Sequence, residues 1–382
     1  MDVRDYLEKR REQGTLRRLT PVESLRNGRI TVDGREYADL SSNDYLGLAG
    51  HPRIIAAATQ ALEKWGTSSS ASRLLSGDLR IHHELEEKTA GFKGKEAALI
   101  FNSGYQANTG IIGALYGKGD AVFADRLNHA SLVDGAVLSG ASVFRFRHND
   151  LDHLASLLDA NRGKFRDALV ATESVFSMDG DLAPLEDLAG LKERHNCRLL
   201  VDEAHATGVF GPRGSGLAEA SGLAGRVDLV MGTFGKALGG FGAYVASSHE
   251  IIETLVNACR SFIYTTALPP AVVAGNIEAI KLIQEDPGRG ARLLESASKL
   301  RGELQQAGLA VRGASQIIPI VLGGVAQTVR AAESLRNAGF WVYPIRPPTV
   351  PEGESRLRLS LNTGLDSSQL AVLAREAVRA CS

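Results

Sequence analysis

Short apolar runs alternate with amphipathic stretches through the middle of the chain. Between about residue 96 and residue 246 the runs "AALIF", "AVFAD", "SVFRF", "ALVATE", "RLLVDEA", "DLVMG" and "GAYVAS" are separated by helix-like segments such as "LAPLEDLAGLKERHN". Apolar runs of this length, joined by helical crossovers, predict parallel strands covered on both faces. The gap between "DLVMG" and "GAYVAS" is too short for a crossover helix, so one strand is expected to run antiparallel.

Near residue 285 the pattern changes. After "QEDPGRGARL" come a helix ("LLESASKLRGELQQAG"), the strand-like "IIPIVLG", another helix, "FWVYPI", "SRLRLSLN" and a last helix capped near Asp366 or Ser367. In "SRLRLSLN" the alternation puts Leu357, Leu359 and Leu361 on one face and Arg356, Arg358 and Ser360 on the other, which predicts a half-buried strand with Arg358 pointing away from the local core. The expected fold class is α/β, a mostly parallel sheet with one antiparallel strand, plus a smaller C-terminal α+β domain. Its expected boundaries are an N-terminal helical arm with short strands over 1–47, a large domain over 48–284 and a small domain over 285–382.

Composition narrows the partners. The 382 residues carry 43 basic and 44 acidic side chains, a formal net charge of -1, so no electrostatic footprint points to nucleic acid or an anionic membrane. The longest uncharged stretch, residues 97–117, is interrupted by Asn102, Ser103, Gln106, Asn108 and Thr109 and makes a poor membrane span. Three widely spaced cysteines, Cys197, Cys259 and Cys381, fit a reduced compartment rather than a disulfide framework or a zinc site, so no metal and a cytoplasmic location are expected. The start of the chain holds Asp2, Asp5, Glu8 and Glu12 among its arginines, unlike a transit peptide, and reads as a native helix.

Four short stretches carry chemistry. "GTFGKALGG" sets Lys236 among glycines at the end of an apolar run. A P-loop would need the pattern G-x-x-x-x-G-K-[ST], and here both its first glycine and the Ser or Thr after the lysine are missing. A solvated surface lysine and a carbonyl-attacking amine remain, the glycines then allowing a ligand's close approach. "LLVDEAHATGVFG" contains the letters of a helicase box without the P-loop that box requires. Asp202 instead ends a buried strand, where a carboxylate needs a cationic partner or several hydrogen bonds, and a protonated pyridine nitrogen would be such a partner. His205 could donate to a phenolic oxygen on the same ring, or be satisfied within its loop. "FNSGYQAN" offers amides at a helix start for a phosphate. In "DRLNHASLVDG" His129 follows a strand end, where ligands of open α/β sheets gather, and could lie flat on an aromatic cofactor or cap the next helix.

Taken together, these motifs in this order resemble the fold-type I pyridoxal-phosphate enzymes. "SSNDYLGL", "SRLLSG", "HHELE", "DRLNHAS", "TESVFSMDGDLAPL", "VDEAHATGVFG" and "TFGKALGG" are similar to the α-oxoamine synthases, which condense an amino acid with an acyl-CoA and lose carbon dioxide. The resemblance covers nearly the whole chain. It implies pyridoxal 5'-phosphate as cofactor, with Lys236, His129 and Asp202 as catalytic residues: Lys236 as the Schiff-base lysine, Asp202 on the pyridine nitrogen and His129 stacked on the ring. Ser177 and His205 would meet the ring oxygen, while the Gly104 and Tyr105 amides and the Thr233 hydroxyl would hold the phosphate. Asn43 and Arg358 would take the amino-acid carboxylate, His129, Arg17 and Thr349 would contact substrate, and Thr265 and Thr266 would reach the phosphate of a partner subunit's cofactor, making a homodimer with shared active sites. The tail "YPIRPPTVPEGESRLRLSL" resembles the branch that joins L-alanine to a pimeloyl thioester, on CoA or a carrier protein, in biotin synthesis. "GKALGGFGAYV", and Glu203 where an aspartate is often found, are closer to the glycine-using branches, including the one that uses acetyl-CoA.

Overall fold

A computed structural model describes residues 2–381. In chain order its strands are β1 (Ser24–Arg26), β2 (Arg29–Val32), β3 (Arg35–Asp39), β4 (Ala97–Phe101), β5 (Ala121–Asp125), β6 (Ser142–Phe146), β7 (Ala168–Glu173), β8 (Arg198–Asp202), β9 (Leu229–Thr233), β10 (Ala243–Ser247), β11 (Ile317–Gly323), β12 (Phe340–Trp341), β13 (Pro344–Ile345) and β14 (Ser355–Ser360). The chain separates into two compact units, one of residues 48–176 and 182–291, the other of residues 1–47, 177–181 and 292–382.

The larger unit is built on a seven-stranded sheet in the order β4-β10-β9-β8-β7-β5-β6. Every pairing from β9 to β6 is parallel, and β10 runs antiparallel to both β9 and β4, which is the single reversed strand expected from the short gap. β5, β7 and β10 are buried at every position, because crossover helices cover both faces. Leu199, Leu200 and Val201 of β8 are fully buried, each contributing about 1.5–3 kcal/mol of burial free energy, and they carry Asp202 to the carboxyl edge. The helix Gly104–Leu115 packs Ala107, Ile111 and Ile112 into the core; Ser103 caps it, its hydroxyl accepting from Gln106 N at 3.2 Å.

The smaller unit holds a four-stranded sheet, β1-β2-β3-β12, and a three-stranded sheet, β11-β14-β13. "FWVYPI", read as one strand, is divided: Phe340–Trp341 pairs with β3 and Pro344–Ile345 with β14, so the run hands the chain from one sheet to the other. "SRLRLSLN" also departs from expectation. Its polar face is as buried as its leucine face, with Arg356 at 2 % and Arg358 at 8 % exposure, because residues 177–181 and the loop after β3 cover it and satisfy both guanidinium groups. The N-terminal stretch is a helix, Val3–Glu12, capped by Asp2. Among the described residues no helix is long and apolar enough to cross a membrane, and no cluster of histidine, cysteine and acidic side chains is placed to hold a metal ion.

Two buried ionisable groups hold the larger unit together near the end of β8. Lys93 Nζ donates to Glu203 Oε2 at 2.7 Å, to Thr207 Oγ1 at 3.1 Å and to the Ser215 carbonyl, with both charged side chains 1 % exposed. Glu203 Oε1 accepts from Ala218 N at 2.8 Å, so the pair ties the loop 203–218 down. Burial opposes the charge on Lys93, yet the Glu203 carboxylate holds its pKa above the ordinary lysine value. Removing one partner of such a pair strands the other charge, so Lys93→Met is expected to cost about 3–5 kcal/mol in urea denaturation, and adding Glu203→Gln to recover part of the loss.

His82 is fully buried with its neutral form built in. Nδ1 accepts from Leu79 N at 3.0 Å, leaving Nε2–H to donate to Leu268 O at 2.9 Å. Burial lowers its pKa and neighbouring Arg73 lowers it further, against the Leu268 carbonyl, Glu86 and Asp78. With the folded value below the ordinary 6.5, the unfolded chain takes up the proton first, so this contribution to stability is complete above that value and is lost as the pH falls from there towards the folded value. Urea midpoints measured between about pH 5 and about pH 8 should therefore fall on the acid side, and less steeply in His82→Gln.

Candidate active site

The carboxyl ends of β4, β5, β7, β8 and β9 open into one cleft of about 550 Å³, lined by Gly104, Tyr105, Asn108, His129, Ser131, Glu173, Asp202, Ala204, His205, Met231, Thr233 and Lys236. Seven of the residues predicted from sequence thus meet in one place, from four separate segments of the larger unit. A parallel sheet produces this convergence because every strand delivers its final residue to the same edge.

Asp202 lies at the floor, 5 % exposed. Its Oδ2 accepts from Asn108 Nδ2 at 2.9 Å and its Oδ1 from Ala204 N at 2.9 Å, and among the described residues no cationic side chain forms an ion pair with it. Asn108, fully buried one turn into the helix that starts at Gly104, also donates to Ser131 Oγ at 2.9 Å. Ser131 Oγ lies 2.7 Å from His129 Nδ1, which also accepts from Ser131 N at 3.3 Å. Since Ser131 Oγ receives a proton from Asn108 it gives its own to Nδ1, and the relay Asp202–Asn108–Ser131–His129 leaves the proton of a neutral His129 on Nε2. Burial, then Lys236, hold the His129 pKa below the usual imidazole value, against the pull of Asp202 and Asp134. Glu173 Oε1 accepts from His129 N at 2.6 Å and fixes the start of the helix Ala130–Ser139, so His129 both caps a helix and faces the cleft.

Lys236 Nζ stands 2.7 Å from His205 Nε2. The loop carrying it is braced by Thr233, whose Oγ1 donates to Gly242 O at 2.8 Å and accepts from Gly235 N at 3.0 Å. The glycines around Lys236 have a different reason from ligand approach. A Cβ on Gly232 would overlap the Tyr244 hydroxyl, one on Gly239, at φ +65°, the backbone of Leu48 and Ala49, and one on Gly240 the Asn276 amide; of these loop glycines Gly235 alone has ordinary space. Close packing of chain on chain sets this composition.

At the opposite wall the amides of Gly104 and Tyr105 start a helix, and among the described residues neither donates a hydrogen bond. The Tyr105 hydroxyl donates to Asp134, which with burial raises its pKa. Thr265 and Thr266 do not line this cleft; Asn102 Nδ2 donates to Thr265 Oγ1 at 3.1 Å and to Thr266 O at 2.9 Å. The other expected site residues belong to the smaller unit. There Arg358 Nε donates to Ser177 O at 2.5 Å, its Nη1 and Nη2 each approach Asn43 Oδ1 at 3.3 Å, and Arg17 Nη2 donates to Thr349 Oγ1 at 2.8 Å.

Asn108, Ser131 and Glu173 were not singled out from sequence. Glu173 could have been, as the acidic last residue of the run "ALVATE"; Asn108 and Ser131 are ordinary helix residues until the fold turns them towards Asp202. An anionic floor with neutral donors only, an amine beside an imidazole, and free helix-start amides across the cleft fit the three parts of pyridoxal phosphate: a ring nitrogen able to hold a proton, a carbonyl, and a phosphate.

Comparison with known proteins agrees. Residues 35–376 match the aminotransferase class I and II family. The 8-amino-7-oxononanoate synthase of Geotalea daltonii is 51 % identical over 94 % of this chain and 92 % of its own length, and that of Geobacter sulfurreducens 51 % identical over 95 % and 94 %. Among solved structures, the serine palmitoyltransferase of Sphingomonas wittichii superposes with a TM-score of 0.93 at 34 % identity, covering 99 % of this chain and 96 % of that one. The 8-amino-7-oxononanoate synthase of Francisella tularensis superposes with a TM-score of 0.76 at 29 % identity, covering 90 % and 96 %. With this cleft and these likenesses, the chain belongs to the aminotransferase class I and II family of pyridoxal-phosphate enzymes and, within it, to the 8-amino-7-oxononanoate synthase family.

Proposed function

We propose that this chain joins L-alanine to a pimeloyl thioester, forming 8-amino-7-oxononanoate and releasing carbon dioxide and the thiol, as the family to which it belongs does in biotin synthesis. The observation that carries the chemistry is the Lys236 amine beside His205 in a cleft whose floor is the Asp202 carboxylate. Pyridoxal phosphate, when bound there, supplies a carbonyl for the substrate amine and an electron sink for the pair left at Cα.

The side chains have distinct tasks in this reading. Asp202 keeps a proton on the ring nitrogen, which maintains the sink; a carboxylate that has only neutral donors around it is available for that ion pair. The Gly104 and Tyr105 amides would hold the phosphate, with the Thr233 hydroxyl turning its proton from Gly242 O to join them, and His129 would face the ring with its orientation set by Ser131. His205 and Ser177 hydrogen-bond the ring oxygen. Lys236 would take the Cα proton and return one after carbon dioxide has left, with His205 Nε2 at 2.7 Å able to share it. Arg358 and Asn43 take the amino-acid carboxylate, and Arg17 and Thr349 contact substrate. Thr265 and Thr266 reach the phosphate of the partner subunit's cofactor, so the working form is a homodimer with Asn102 aiming that segment.

Lys236→Ala is expected to lower turnover by more than about a thousandfold while leaving the urea midpoint near that of the parent protein. Asp202→Asn keeps an acceptor for only one of the Asn108 and Ala204 donors and removes the charge, so kcat should drop by about a hundredfold or more; a rate near the parent's would refute its role. Thiol release from L-alanine with pimeloyl-CoA, set against glycine with acetyl-CoA at matched concentrations, tests the substrates, and faster release from the glycine pair would overturn the assignment.

A further inference from the structure

Arg356 leads the fully buried side chains by volume, and none of the chemistry above uses it. It stands on β14 two residues before Arg358, so both project from one face of the strand. Its groups go to the neighbouring segment and to Glu354. Nη1 donates to Asp179 Oδ1 at 2.5 Å and approaches Met178 O at 3.4 Å, Nη2 donates to Glu354 Oε2 at 3.0 Å, and Nε donates to Glu354 O at 2.9 Å. Arg312 reaches the same two carboxylates, at 3.4 Å from Asp179 and 2.9 Å from Glu354.

The segment 177–181 that Arg356 grips is also held by Arg358, through Ser177 O, and by the backbone bond from Ala314 N to Gly180 O at 2.9 Å. The fit is close: at Gly180, φ +65°, an added Cβ would overlap Ile317 O, and at Gly313, φ +85°, it would overlap the Asp179 carbonyl. A fully desolvated guanidinium adds little net stability over an apolar side chain of its size, so what it contributes is the placement of the groups it bonds.

We infer that Arg356 is a positioning residue: with Asp179 it fixes residues 177–181 on β14, so that the Ser177 hydroxyl and the Arg358 guanidinium are presented as one rigid piece. The inference rests on the proposed contacts of Ser177 with the cofactor's ring oxygen and of Arg358 with the substrate carboxylate. Under it those contacts are coupled. A carboxylate arriving at Nη1 and Nη2 of Arg358 replaces the 3.3 Å approaches to Asn43 and leaves in place the Nη1 bond to Ser360 Oγ at 2.6 Å and the Nε bond to Ser177 O. Reading of the substrate and tuning of the ring oxygen then share one support.

The test uses cofactor-loaded enzyme and four proteins: Arg356→Met, Arg356→Lys, Ser177→Ala and the double variant Arg356→Met with Ser177→Ala. The pH dependence of the bound cofactor's absorbance reports the ring oxygen's surroundings without turnover. Expected are a shift in Arg356→Met of the same sign as in Ser177→Ala, no further shift in the double variant, and near-parent behaviour in Arg356→Lys, which can still reach Asp179. KM for L-alanine in Arg356→Met should rise about tenfold or more, with a smaller change in kcat. If Ser177→Ala shifts the absorbance and Arg356→Met does not, or if the two shifts add, the positioning role is wrong while the Ser177 reading stands. If Ser177→Ala itself shifts nothing, the reading of Ser177 fails and the coupling with it. Should Arg356→Met not fold, Arg356→Lys and Asp179→Asn carry the same comparison, with a parent-like absorbance in Asp179→Asn overturning the inference.

Discussion

A buried carboxylate with no cation of its own is expensive, and the active cleft is organised around the one at Asp202. Left without hydrogen-bond partners, it would cost several kcal/mol. Two neutral donors, the Asn108 amide and the Ala204 backbone, offset part of that cost and leave the charge available. The demand spreads outward. Asn108 must be delivered by the first turns of the helix after β4, which requires the helix start at Gly104 and so presents the free amides opposite; its second proton orders Ser131, and Ser131 orders His129. A single electrostatic requirement therefore places the cleft floor, the helix-start amides and the His129 imidazole together.

The adjacent acid shows the other way of solving the same problem. Glu203 is as buried as Asp202, yet it is paired with Lys93 and bonded to Ala218 N, so its charge is wholly used inside the protein. One acid of the Asp202–Glu203 pair is thereby committed to holding the loop 203–218, and with it His205, while the other stays open to a ligand. The identity of Glu203 follows from the length of its reach to Lys93, and it need not reflect the substrate.

Periodicity made the strands legible. Seven apolar runs became the seven strands of the large sheet, and the one short connection became the one reversed strand, because both follow from local sequence and chain reach. Lys236, Asp202, His205 and His129 were legible as strand-end chemistry for the same reason. What could not be read was whatever depends on a distant segment. The polar face of β14 reads as solvent-facing, since nothing near Arg356 in sequence announces Asp179 or Ser177. Asn108 and Ser131 carry no local signal either, as their role is set by the approach of Asp202 from another strand.

The glycine-rich run bears on substrate choice. "GKALGGFGAYV" is closer by resemblance to the glycine-using branches. Gly239 and Gly240 instead accommodate Leu48, Ala49 and Asn276, and Gly232 accommodates Tyr244, all of them contacts of chain with chain. Their identity is accounted for before any substrate is considered, so they say nothing about room for a methyl group. Discrimination between alanine and glycine amounts to one methyl, about 1–3 kcal/mol, and such a difference is set by side chains at Cα rather than by the packing of a loop against its own protein. With that signal removed, the relatives at 51 % identity along nearly the whole chain are the remaining guide, and they bear the name of the enzyme whose product retains alanine's methyl.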